Sequence, residues 1–137
     1  MKKILTIAGS DCSGGAFKIG DKREGDIIAA ALQGLERGYA VVTINYRLSG
    51  EAIFPAAVED VKAAVRFIKA NSEKYKLDAN KIALWGELAG GNLVSMAGLT
   101  GKSSEFNNDE LGNVGVSIEV QVVVDQYGPL NFLKMDE

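Results

Sequence analysis

Five apolar residues at helical spacing, set between two β-branched runs, limit the folds open to this chain more than any other feature. Phe54, Val58, Val61, Val65 and Ile68 fall at i, i+4, i+7, i+11 and i+14, one stripe over four turns. Glu59, Lys62, Arg66 and Lys69 lie on the opposite face and are expected to meet water. Pro55 suits the first turn, where its missing N–H would lack a helical partner anyway. Before this helix, Val41–Tyr46 (V-V-T-I-N-Y) reads as a strand; after it, Lys81–Trp85 reads as another. Strand, amphipathic helix, strand is a crossover unit with its two strands parallel.

The pattern extends both ways. Ile4–Ala8 is a short apolar run ended by Gly9-Ser10-Asp11, a buried strand followed by a loop to about Glu24. Asp26 can cap a helix with Ile27, Ile28, Ala31, Leu32 and Leu35 on one broad face, closed by Gly38 in a left-handed cap. Ala89–Leu99 is expected as a third helix, 101–117 as a polar surface loop and Val120–Asp125 as a fourth strand. The alternation predicts an α/β fold, a parallel sheet with helices on both faces in three layers. At 137 residues, with no repeat or linker, one domain over 1–137 is expected.

Composition removes several classes of function. A net charge of −3, with Lys and Arg scattered, gives no electrostatic reason to expect nucleic acid. No apolar run approaches the roughly 18 residues of a membrane span, and Ile4–Ala8 is shorter than the core of a secretory leader, so no membrane partner and a cytoplasmic setting are expected. The single cysteine, Cys12, excludes an internal disulfide and reads as a loop thiol. There is no histidine, which removes any Ser-His-Asp or Cys-His arrangement within the chain. No metal-ligand spacing and no cofactor motif occurs.

The stretch A-L-W-G-E-L-A-G-G-N at Ala83–Asn92 has the frame G-x-S-x-G of a nucleophile elbow, with Leu88 where serine would stand. Gly86 and Gly90 would let the neighbouring segments approach, with Glu87 and Gly91 completing the turn. Leu88 offers no nucleophilic atom and reads as a structural side chain. The N–H of Ala89, at the helix start, would serve as an oxyanion donor. Glu87 is expected to face solvent, Asp60 to pair with Arg47, and Asp125 to order a loop. Lys18, Lys22 and Arg23 read as a solvated charged loop.

Four stretches carry a resemblance: G-Y-A-V-V-T-I-N-Y-R-L (Gly38–Leu48), F-P-A-A-V-E-D-V-K-A-A-V-R-F-I (Phe54–Ile68), W-G-E-L-A-G-G-N (Trp85–Asn92) and V-V-D-Q-Y-G-P-L-N-F (Val123–Phe132). With them, residues 17–137 resemble the α/β-hydrolase esterases and lipases, acetyl-esterase-like members in particular. The resemblance implies strand order 2-1-3-4, a partial hydrolase core and a small ester as substrate. It implies a second oxyanion donor from Gly15 and Ala16, in a loop where Ser13 and Ala16 replace the family's histidine and third glycine. The family's acid and histidine would fall beyond Glu137, so a truncated, inactive hydrolase is expected.

Residues 1–16, with K-I-L-T-I-A-G-S-D-C-S-G-G-A, resemble instead the N-terminus of hydroxymethylpyrimidine phosphate kinases of the ribokinase-like class. The chain therefore reads as a splice of two families. Two other functions stay open: a non-catalytic scaffold that self-associates through an apolar edge at Val120–Val124, and a remnant pyrimidine site.

Overall fold

The computed structural model describes residues 1–8 and 26–134. Four parallel strands form one sheet in the order β2-β1-β3-β4: β1 (Lys2–Ala8), β2 (Tyr39–Ile44), β3 (Leu77–Glu87) and β4 (Val122–Gln126). Central β1 pairs Ile4 with Ala40 of β2 and with Ile82 of β3, while Trp85 of β3 faces Val124 of β4. The α/β class and strand order are those expected. Strand ends differ by a few residues, most at β3, which starts at Leu77 because Lys2 pairs there across a register irregularity.

Three helices connect the strands: α1 (Asp26–Glu36), α2 (Ala56–Ala70) and α3 (Ala89–Leu99). On the face of α2 and α3, Ile4, Val58, Val61, Val65, Ile68, Ile82, Leu84, Leu93 and Val94 form the main core. Each such side chain removed from water stabilises the fold by about 1.5–3 kcal/mol. The other face holds a smaller cluster, Ile7 and Ala31 with Leu5, Val41 and Trp85 packed against them.

Three expectations about side chains change. Phe54 precedes α2 instead of joining its buried stripe; it is 65% exposed, edge-on to Phe106 at 5.6 Å. In α1, Leu32 and Leu35 are about half exposed, because the helix meets the sheet through Ala31 and Gly34, small enough to sit against Leu5 and Val41. The C-terminal turn at Gly38 is left-handed as expected, with φ +80°.

The largest correction concerns the polar stripe of α2. Lys62 and Arg66 are buried, not solvated. The Lys62 ammonium donates to the carbonyls of Thr100 and Glu105, and Arg66 donates to those of Gly112 (3.0 Å), Asn107 and Asn108 (3.1 Å). Lys69 donates to Glu119. The 101–117 loop thus lies across the helix, and its carbonyls, which no ladder satisfies, take their donors from it.

Candidate functional site at the β3–α3 turn

The C-terminal end of β3 turns into α3 with no intervening loop. Leu88 makes the turn at φ 51°, ψ −119°, a backbone region that costs a non-glycine residue about 1–3 kcal/mol. Its N–H donates to Gln126 at 2.9 Å, and its carbonyl accepts from Asn92 at 3.2 Å. A Cβ on Gly86 would strike the carbonyl of Gly90, and one on Gly90 would strike the carbonyl of Ala8. Hydrogen there is what lets helix and sheet close on each other. Ala89, in the first turn of α3, is buried; Leu88 and Glu87 are partly buried. Leu88 has no hydrogen-bonding side chain with which to cap the helix.

The loop after β4 is tied over α3 by Asp125, expected to order a loop, together with Ser95 and Asn92, to which no role was assigned from sequence. Ser95 Oγ donates to Asp125 Oδ2 at 2.9 Å, Asp125 Oδ1 accepts from the N–H of Gly128 at 2.8 Å, and Asn92 Nδ2 donates to the Pro129 carbonyl at 2.9 Å. A Cβ on Gly91 would collide with the Asp125 carboxylate. Asp125 therefore orders the 126–129 turn, as expected. The signal for Ser95 was available: an aspartate ending an apolar strand needs donors, and Ser95 lies one helical turn beyond Gly91. Trp85 Nε1 bonds Gln126 Oε1 at 3.0 Å, a further link between the strand ends.

Nearby, Arg47 pairs with Asp60, as expected: Nε reaches both carboxylate oxygens at 3.0–3.1 Å, and the Arg47 N–H donates to Oδ2 at 2.7 Å. Glu59 also meets this guanidinium at 3.4 Å. The hydrogen bond that Arg47 donates to Asp60 chiefly raises the Arg47 pKa above its ordinary value, against desolvation. Lys62 moves the other way, lowered by burial and then by the Arg66 charge, with Glu105 opposing.

The elbow expectation puts Gly86, Glu87, Leu88, Ala89, Gly90 and Gly91 together, and the turn joins them in one short segment. Gly15 and Ala16, the expected second oxyanion donors, lie outside the described residues, as do Cys12, Lys18, Lys22 and Arg23. Among the described residues no group of three or more Cys, Asp or Glu side chains is placed to hold a metal ion, and no helix is long and apolar enough to cross a membrane.

A parallel sheet in 2-1-3-4 order with a strained strand-to-helix turn marks an esterase-type α/β-hydrolase domain. The chain belongs to the BD-FAE family, whose model matches residues 11–137. It is 35% identical over 124 residues to the probable carboxylic ester hydrolase LipM of Mycobacterium tuberculosis (strain ATCC 25618 / H37Rv), a match covering 90% of this chain and 28% of that protein. The arylesterase of Saccharolobus solfataricus is 34% identical over 68% of this chain and 30% of its own length. Among solved structures, the bifunctional GH43-CE protein of Bacteroides eggerthii superposes with a TM-score of 0.86 at 35% identity, over 98% of this chain and 18% of that one. The chain thus spans less than a third of each of these relatives.

Proposed function

We propose that this domain keeps the architecture of a carboxylic ester hydrolase and, in the sequence it has, does not hydrolyse esters. The observation that carries the reading is Leu88 itself, at positive φ between Gly86 and Gly90, where a nucleophile would project. The Ser95 hydroxyl on α3 is engaged by Asp125, and the sequence contains no histidine to activate it. The N–H of Ala89, with those of Gly15 and Ala16, would form the remaining oxyanion site, and the family's small esters would be its ligands. Such a site without nucleophile and base retains only weak catalysis.

Hydrolysis of p-nitrophenyl acetate should show at most weak turnover that no single substitution abolishes, and Leu88→Ser should not raise it, since serine gains no base. Substantial turnover by Leu88→Ser, or wild-type turnover lost in Cys12→Ser or Glu87→Gln, would overturn the proposal. The same reading treats the chain as one domain cut from a longer hydrolase, acting in the cytoplasm, with residues 1–16 of kinase-like origin. An in-frame continuation bearing a strand-end aspartate and a histidine would support the longer protein.

A second reading rests on β4. It is an edge strand whose Val122, Val123 and Val124 are 51%, 37% and 41% exposed, a surface suited to pairing with another chain. Light scattering at rising concentration tests it; a monomer throughout removes self-association.

A further inference from the structure

An open cavity of about 840 Å³ lies at the opposite end of the sheet from the β3–α3 turn, where β1 and β3 begin. Ala40, Val42, Ile68 and Leu77 form its apolar floor. Phe67 and Tyr75 flank it, each about half exposed although large and aromatic. The size falls within the roughly 300–1,000 Å³ of small-molecule sites.

The polar residues at this cavity carry one sign. Among the described residues Lys2 and Lys76 line it, and no acidic side chain does. The two lysines are held side by side, because the Lys2 N–H donates to the Lys76 carbonyl at 3.1 Å. Lys76 sits at φ 56°, a left-handed turn that leads the chain into β3. Among the described residues neither ammonium has a carboxylate within 4 Å. A third cation, Lys74, stands 5.4 Å from the Tyr75 ring.

An apolar floor, two aromatic walls and an unpaired cationic rim suit a ligand that is apolar along its body and anionic at one end. We propose that this cavity binds a small amphipathic carboxylate, a free medium-chain or aryl carboxylic acid, its tail on Val42, Ile68 and Leu77 and its carboxylate between Lys2 and Lys76. The site is separate from the β3–α3 turn and does not depend on the hydrolase reading.

Calorimetric titration of the intact chain with sodium octanoate, sodium hexanoate and 1-octanol tests it. Octanoate should bind at one site, and each methylene removed should weaken binding about fourfold. The uncharged alcohol should bind about three- to tenfold more weakly, the share expected of two exposed cations. Lys2→Gln with Lys76→Gln should bring octanoate down to the level of octanol and leave octanol unchanged. Phe67→Ala with Tyr75→Ala, at exposed positions that the fold tolerates, should weaken both ligands. Absence of octanoate binding, equal affinity for octanoate and octanol, or octanoate binding that neither double variant alters would each overturn the assignment.

Discussion

Helices α2 and α3 pack on the same face of the sheet by opposite means. In α2 the side chains do the work: valines and Ile68 fill the core, and Lys62, Arg66 and Lys69 reach outward to hold a loop. In α3, beyond Leu93 and Val94 in the core, the absence of side chains allows close approach. Gly90 rests on the backbone of β1, Gly91 beside Asp125, and Gly98 against Val123 of β4. A helix held by reach should tolerate trimming one group at a time, whereas a helix held by close approach should tolerate almost no addition.

The sharpest test of that contrast is Gly86→Ala, a single methyl group aimed at the Gly90 carbonyl. It should cost on the order of 3 kcal/mol, seen as a lower urea midpoint; a loss under 1 kcal/mol would show that α3 can move away from the sheet. Next comes Arg66→Ala on α2, which strands three loop carbonyls and should cost about 2–3 kcal/mol. Arg66→Lys should recover only part, since an ammonium cannot reproduce the planar fork.

Lys62→Met should cost about 1–2 kcal/mol at pH 7 by leaving Thr100 and Glu105 carbonyls without their donor. Its pH dependence has a fixed sign. Burial and Arg66 hold the folded-state pKa of Lys62 below the ordinary 10.5, so between those values the unfolded chain binds more protons. The penalty is full below the window and fades as pH rises through it. Wild type should therefore gain on Lys62→Met from pH 7 towards 10.5, measured by denaturation at each pH; a constant difference would contradict the burial of the charge.

The smallest effect should be a gain. Thr6 is fully buried on β1, on the face shared by both helices, and no described group bonds its hydroxyl. Thr6→Val should stabilise by about 1 kcal/mol, a rise of about 3–5 °C in melting temperature. A loss would reveal a partner for that hydroxyl.

The elements were legible because their signals are local. The period of Val58 to Ile68 marks α2, β-branched runs mark the strands, and Ala89–Leu99 was placed with the ends it has. Strand order came through the family resemblance rather than from periodicity. What stayed hidden was non-local. A helical wheel shows that Lys62 and Arg66 leave the apolar stripe, but not that residues 100–112 return to cover them, 38 to 46 positions later. Ser95 and Asp125 are 30 positions apart and meet only once β4 lies beside α3. Phe54 fitted the period yet fell before the helix began, since Pro55 marks the helix boundary.

The central place of β1 also has a bearing on synthesis. One partner, β2, begins at Tyr39, but the other, β3, begins only at Leu77, 75 positions after Lys2. At about 5–20 residues per second, the nascent β1 waits roughly 4–15 s on the ribosome with its second edge unpaired. During that interval the most buried strand of the finished domain is the most available to a chaperone, or to the same strand on a neighbouring nascent chain.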